Sequence, residues 1–146
     1  MTDPVRAAAR YVGAPYRLHG EDPSGWDCLG LVKYLRRELF GLETPPWATD
    51  YGMAEALGAP RGEDLIRAHL PAWEPVEVRP GAVLLFRRFG RPGHVGLALG
   101  QGQFIHAEQG SRTSLLALAG RWEARILGAY DQRPFLPRPG PVQPPR

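Results

Sequence analysis

The spacing of apolar residues predicts a short helix at the N-terminus. Apolar side chains at positions 5, 8, 9 and 12 share one face of a helix with a period of 3.6 residues. Asp3 is suited to cap this helix, Pro4 to occupy its first position and Gly13 to end it. A turn-rich stretch follows over residues 14–25.

A second, longer helix is predicted from residue 28 to residue 40. Its apolar positions lie at i, i+3, i+4, i+7 and i+11 and form a single stripe. These positions are Cys28, Leu31, Val32, Leu35 and Leu39. Gly41 follows at a place where glycine commonly ends a helix.

The period of the apolar positions changes from helical to alternating after Gly81. Residues 42–80 are rich in proline and glycine, with helix-like pieces near 51–57 and 63–70, and are interpreted as an excursion between two halves. Beyond them, short strands are predicted at 82–86, 94–99, 103–108, 114–118 and 126–131. Helices followed by an antiparallel sheet predict one α+β domain over residues 1–133. Repeated prolines predict an extended C-terminal tail over residues 134–146 that lies on the surface or on a partner.

Composition narrows the class of protein. The chain has 146 residues, of which 43% are hydrophobic, and these values fit one soluble globular domain. Its net charge of +3 suits either an anionic partner or a solvated, arginine-rich surface. No basic run is interleaved with aromatic residues, so we expect no nucleic-acid partner. The apolar runs are too short for membrane insertion.

The single cysteine and the first residues bear on where the protein acts. One cysteine excludes an intramolecular disulfide. The N-terminus lacks a basic stretch followed by an apolar run, so we expect synthesis in the cytoplasm without a signal peptide.

Cys28 is a candidate nucleophile because of its place at the beginning of the second helix. The unsatisfied backbone N–H groups and the positive end of the helix dipole favour a thiolate there. The alternative is a small buried residue on the apolar stripe of the helix.

Two histidines on neighbouring strands favour the catalytic alternative. His94 begins one predicted strand and His106 lies in the next, with Gly-Gln-Gly between the strands at 100–102. A three-residue loop at 100–102 places residue 96 opposite residue 106, and the two histidines then lie diagonally on one face. A two-residue loop at 100–101 would turn His106 to the opposite face. The catalytic hypothesis therefore requires the first register.

A zinc site built from Cys28, His94 and His106 is a chemical alternative, because three ligands and a water form a known catalytic pattern. No closely spaced ligand pair supports it, so we predict no metal and no cofactor.

An ordered set of short motifs resembles the NlpC/P60 peptidases. The motifs are Gly-Ala-Pro-Tyr at 13–16, Gly-Trp-Asp-Cys-Leu-Gly-Leu-Val at 25–32, Arg-Pro-Gly-Ala-Val-Leu-Leu-Phe at 79–86, Gly-His-Val-Gly at 93–96 and Phe-Ile-His-Ala at 104–107. Each is weak alone, but their order is specific. The short chain and the Cys-Leu-Gly-Leu-Val segment are most similar to cell-wall peptidases encoded among phage-tail and gene-transfer-agent genes.

The resemblance implies a circularly permuted papain-like fold and hydrolysis of amide bonds in peptidoglycan stem peptides, typically between γ-D-glutamate and a diamino acid. It implies that Cys28 is the nucleophile, His94 the general base and His106 the polar residue that orients the base. Tyr16 matches a tyrosine that lines the site, and Asp27 matches an aspartate that helps to bind substrate. Asp27 is also suited to cap the helix.

One residue departs from the family pattern. Many members have serine directly after the cysteine, and in some of them it helps to recognise the peptide terminus of the substrate; this chain has Leu29. Transport on a phage-like tail, with tail hub or tip proteins as partners, is the expected route to the cell wall. The alternatives are a structural or docking component of the tail with little turnover, and acyl transfer in place of hydrolysis.

Overall fold

A computed structural model describes residues 3–45, 72–88 and 91–132 of the chain. Helix α1 spans Pro4–Ala9, and the carboxylate of Asp3 caps it by accepting the Val5 N–H at 3.0 Å. The predicted cap is therefore confirmed, but the helix ends at Ala9, four residues before Gly13. Helix α2 spans Cys28–Phe40 and ends at Gly41 in the left-handed conformation, as the apolar stripe predicts.

The strands form two antiparallel sheets. A small sheet pairs β1 (Glu21–Asp22) with β2 (Gly25–Trp26). A six-stranded sheet has the order β3-β8-β4-β5-β6-β7. Its strands are β3 (Trp73–Val76), β4 (Val83–Arg88), β5 (Arg91–Gly100), β6 (Gln103–His106), β7 (Ser114–Ala117) and β8 (Ile126–Gln132). Helix α3, Arg121–Arg125, connects β7 to β8.

The five predicted strands are confirmed with small shifts at their ends, but two regions differ from the prediction. Part of the supposed excursion over 42–80 belongs to the sheet, because β3 pairs with β8. A proline at position 75 is tolerated since β3 has one neighbour among the described strands. The short strands β1 and β2 lie in the stretch that was predicted to be turns. The helix-like pieces near 51–57 and 63–70 and the tail at 134–146 lie outside the described residues.

Because side chains alternate between the two faces of the sheet along each strand, the apolar ones pack in two hydrophobic layers. Val83, Leu85 and Val95 pack with α1 and α2 on one face of the sheet. Phe86 packs with Trp122 of α3 in the second layer, together with the other members of that cluster. The predicted α+β architecture, with helices packed on an antiparallel sheet, is therefore confirmed. None of the helices in the described ranges is long and apolar enough to cross a membrane.

A fully buried arginine ties helix α2 to strand β8 of the sheet. The guanidinium of Arg36 donates to the Gly81 and Glu43 carbonyls and forms a 3.0 Å ion pair with Asp131 of β8. Arg79 holds the second oxygen of the same carboxylate at 3.0 Å. Burial raises the pKa of Asp131, but the hydrogen bonds from Arg79 and Arg36 outweigh it, and the net pKa is lowered. The buried charge of Arg36 is therefore paired with an opposite charge, which limits the cost of burying it.

Candidate active site

Cys28 is the first residue of helix α2, and Asp27 holds the turn that leads into it. The Asp27 carboxylate accepts the Gly30 N–H at 2.8 Å, which caps the helix, and the His19 N–H at 2.8 Å. Asp27 is only 5% exposed, and each of its oxygens accepts one of these backbone hydrogen bonds. The capping role is therefore confirmed, whereas substrate binding by Asp27 stays a prediction.

The loop before Cys28 approaches helix α2 closely, and Gly30 makes this approach feasible. A Cβ at position 30 would overlap the carbonyl oxygen of Gly20. The glycine two residues after the cysteine is therefore a packing requirement of the loop. Leu29 is 5% exposed and packs in the hydrophobic core, where its side chain meets other apolar groups.

Tyr16 lies beside Cys28 because its backbone pairs with the segment that leads to that residue. Tyr16 bridges Trp26, whose N–H donates to the Pro15 carbonyl at 3.2 Å. Burial, and then the charges of Cys28 and Asp27, raise the pKa of Tyr16 to about 12. The phenol therefore keeps its proton at neutral pH and is able to act as a hydrogen-bond donor.

The two histidines lie on one face of the hairpin formed by β5 and β6. Leu97 pairs with Ile105 and Ala98 with Phe104, a register that continues to place residue 96 opposite residue 106. The required register is thus confirmed, but the loop differs from the one expected. Gly100 pairs with Gln103 around a two-residue turn at 101–102, and an irregularity between residues 98 and 100 supplies the extra residue.

The histidines contact each other directly across the hairpin. His94 Nε2 lies 2.8 Å from His106 Nδ1, and the ring planes are inclined at 80°. Gly96 makes room for this pair, because a Cβ there would lie 3.3 Å from the Cβ of His106 and 3.2 Å from the Ile105 carbonyl oxygen. Since Nε2 of His94 is engaged by His106, Nδ1 is the ring nitrogen left to exchange a proton with a thiol.

An aromatic cluster surrounds the histidine pair on the second face of the sheet. The ring centroid of His106 is 4.7 Å from that of Trp122 and 5.2 Å from that of Phe104, and His94 is 6.0 Å from Phe86. His94 and His106 are 2% and 4% exposed. Burial in this layer disfavours the charged form of both rings.

Both imidazoles are therefore neutral at pH 7. Burial, then the charges of His106, Arg88 and Arg125, lower the pKa of His94 well below its usual value of 6.5. Burial and then Arg125 lower the pKa of His106 to about 4. If His94 is to accept a proton at Nδ1, its Nε2–H must donate to Nδ1 of His106, and a neutral His106 allows this arrangement.

The thiol of Cys28 is also neutral in the resting site. Burial raises its pKa to about 11, the backbone N–H of Val95 opposes the rise and the Asp27 charge adds to it. The expectation that the helix start favours a thiolate is therefore wrong for the resting site, because burial outweighs the N–H groups. The hydrogen bond from Val95, the residue that follows His94, also brings the sulfur to strand β5.

Three residues that shape the site were missed by sequence reasoning. Trp122 packs edge-on against His106, and Arg125 lies over the Trp122 ring at 4.9 Å. The positive charge of Arg88, at the end of β4, partly opposes the rise in the pKa of Cys28 and Tyr16 and contributes to the lowered pKa of His94. The sequence carries only weak signals for these residues, namely a pair of arginines directly after an apolar strand and a five-residue helical segment after Gly120.

Two of the cavities bordered by the described residues lie near these elements. One of about 360 Å³ adjoins Tyr16 and is lined by Pro15, Tyr16, Gly110, Ser111 and Arg112. A larger one, about 980 Å³, lies between α1 and the end of α2 and is lined by none of the predicted site residues. Within residues 3–45, 72–88 and 91–132, no group of three or more His, Cys, Asp or Glu side chains is placed to hold a metal ion.

Comparison with known proteins gives a consistent family. The NlpC/P60 family pattern matches residues 13–130. The gamma-DL-glutamyl hydrolase of Bacillus subtilis (strain 168) is 29% identical over 128 residues, which are 85% of this chain and 27% of that protein. The murein DD-endopeptidase MepS/murein LD-carboxypeptidase of Escherichia coli (strain K12) is 36% identical over 103 residues, 70% of this chain and 47% of that protein.

A solved structure confirms the predicted fold. The crystal structure of the NlpC/p60 domain of peptidoglycan hydrolase SagA aligns with a TM-score of 0.53 and 27% identity, over 86% of this chain and 94% of that one. The chain spans between about a quarter and about a half of the length of the two curated relatives.

Proposed function

The chain belongs to the NlpC/P60 family, and from this premise we propose that it is a cysteine peptidase that hydrolyses amide bonds in peptidoglycan stem peptides. The observation that carries the proposal is the 2.8 Å contact between His94 of β5 and His106 of β6, together with the hydrogen bond from the Val95 N–H of β5 to the Cys28 thiol. The residues proposed as nucleophile, base and orienting residue thus come from three separate elements, α2, β5 and β6. The names of the two relatives, a glutamyl hydrolase and a murein endopeptidase, support the substrate class.

The first step begins from a neutral pair. The raised pKa of Cys28 and the lowered pKa of His94 both disfavour a preformed thiolate–imidazolium pair. His94 Nδ1 therefore takes the thiol proton as the sulfur attacks the amide carbonyl, and the tetrahedral intermediate carries a negative oxygen. His106 accepts the Nε2–H of His94 and keeps the ring in the tautomer that this step requires.

In this proposal, two groups donate hydrogen bonds to the negative oxygen. They are the backbone N–H of Cys28, which begins helix α2, and the hydroxyl of Tyr16, whose raised pKa keeps it protonated. Removal of one such donor costs about 10²–10³ in rate. His94 then gives its proton to the leaving amine, and a water molecule hydrolyses the thioester to release the carboxylate product.

The bond that we propose joins γ-D-glutamate to the diamino acid of the stem peptide. The resemblance in the motifs around Cys28 and His94 supports it, as does the relative named for γ-glutamyl hydrolysis. A synthetic L-alanyl-γ-D-glutamyl-diaminopimelate peptide tests this proposal, with mass spectrometry of the products. If the wild type cleaves after the glutamyl residue and Cys28→Ala does not, the assignment is supported. Cleavage at another bond contradicts the assignment.

We further propose that the enzyme reaches the wall on a phage-like tail, bound to tail hub or tip proteins. This proposal rests on the similarity of the Cys-Leu-Gly-Leu-Val segment to tail-encoded peptidases. Mass spectrometry of purified tail particles tests it. Stoichiometric amounts of the chain in the particles support it, and its absence from intact particles contradicts it.

A further inference from the structure

The cleft beside Tyr16 has the dimensions of a small binding site. Its volume of about 360 Å³ falls at the lower end of the range of small-molecule sites, about 300–1,000 Å³. Tyr16 and Pro15 form one wall, and Ser111 and Arg112 form the other. The cleft therefore opens next to the residue that lies beside the nucleophile.

Backbone hydrogen bonds fix the two walls of the cleft to each other and to the nucleophile. The Gly13 N–H donates to the Thr113 carbonyl and the Thr113 N–H to the Ala14 carbonyl, each at 2.9 Å. The Thr113 hydroxyl accepts the indole N–H of Trp26 at 2.7 Å in a buried contact. Since Trp26 precedes Cys28 by two residues, a group held in the cleft has a defined position relative to the sulfur.

The wall formed by Ser111 and Arg112 carries a positive charge. Arg112 donates through Nη1 to the Gly13 carbonyl at 3.0 Å, which orients the guanidinium. No acidic side chain lines the cleft, and Arg112 has no ion pair within the residues that the structure describes. The Ser111 hydroxyl is a second polar group on the same wall. An oriented guanidinium beside a hydroxyl matches a carboxylate, which accepts several hydrogen bonds at once.

We propose that this cleft is the subsite for a free carboxylate next to the scissile amide, and that Arg112 determines specificity for it. The inference rests on the proposed function. A glutamyl residue linked through its γ-carbonyl leaves its α-carboxyl group outside the peptide bond, as either a carboxylate or a carboxamide. Arg112 pairs with the carboxylate and gains little from the carboxamide, so the enzyme prefers the acidic form.

The test compares two stem peptides that differ only in this group, carboxylate against carboxamide. Binding to Cys28→Ala is measured by calorimetry, which avoids turnover. We expect the carboxylate peptide to bind about tenfold more tightly, as one charge-assisted pair at a partly exposed site allows. The second variant adds Arg112→Gln, which should remove the preference. The matched control adds Arg6→Gln, which deletes the same charge from an exposed position on α1 and should leave the preference intact.

The outcomes separate this inference from the proposed function. Equal binding of the two peptides, no binding of either, or a preference that survives Arg112→Gln overturns the subsite. Circular dichroism and the melting temperature establish that the Arg112 variant is folded. Arg112→Lys should retain part of the preference, because lysine keeps the positive charge but lacks the two parallel N–H donors of the guanidinium. Cleavage of the same peptides by the unmodified protein tests the peptidase separately.

Discussion

The reactivity of Cys28 with iodoacetamide should depend on pH in a way that reveals its resting protonation state. With a pKa of about 11, one thiol in about 10⁴ is ionised at pH 7, against one in about 10² for a thiol at the ordinary value of 9.0. The thiolate of a less acidic thiol is the stronger nucleophile. With a Brønsted slope of about 0.4–0.5, its higher reactivity offsets roughly a factor of ten of the hundredfold difference in thiolate fraction. We therefore expect alkylation at pH 7 to be about tenfold slower than for an ordinary thiol, before any steric effect.

The shape of the pH profile is the decisive observation, because steric shielding lowers the rate equally at every pH. The rate should rise about tenfold per pH unit up to at least pH 10. Intact-protein mass spectrometry measures it cleanly, since the chain has one cysteine. The urea-unfolded chain is the control and should level off near pH 9. A plateau between pH 6 and pH 8 in the folded protein would indicate a preformed ion pair and refute the neutral resting state.

Four further predictions concern the histidine pair, the hairpin that carries it and the buried Arg36. His106→Ala removes the group 2.8 Å from His94 Nε2 and should lower kcat/KM by roughly 10²-fold, less than the loss for His94→Ala; equal losses in steady-state cleavage would contradict an orienting role. The acid limb of kcat/KM against pH should lie below pH 6.5, because burial lowers the pKa of both histidines and activity is lost only when they protonate; a limb above pH 6.5 would be inconsistent with the aromatic burial. Gly96→Ala should lower kcat roughly tenfold, since its Cβ meets the Ile105 carbonyl and His106 at 3.2–3.3 Å and shifts the pair; unchanged kcat would show that the hairpin adapts. Arg36→Met should lower the free energy of unfolding in urea by about 3 kcal/mol, because it removes the donor to two carbonyls and one of the two arginines that pair with Asp131; a loss below about 1 kcal/mol would mean that the buried arginine contributes little.

The elements that sequence predicts best are those whose pattern is local. The stripe along α2 and the capping residues Asp3 and Asp27 need only the spacing of neighbouring residues, and all are confirmed. Strand β3 was missed because four residues with a proline carry little signal until β8 pairs with them. Helix α3 was missed for a similar reason, since five residues form less than two turns.

The site illustrates a second limit of local patterns. The sequence allowed two registers for the hairpin, and the one observed depends on an irregularity in β5 that alternation does not reveal. The charge state of Cys28 depends on a competition between the helix start and burial against β5, and tertiary packing decides it. Trp122 and Arg88 reach the site only through the folded sheet, so their effect on His106 and His94 has no counterpart in sequence spacing.

The central claim is cysteine-dependent hydrolysis of stem peptides, and digestion of purified peptidoglycan tests it most directly. Wild type and Cys28→Ala are incubated with sacculi, and the released muropeptides are identified by mass spectrometry. The account predicts shortened stem peptides with the wild type and none with the variant. Equal release by both proteins, or no release by a wild type whose fold circular dichroism confirms, would contradict it.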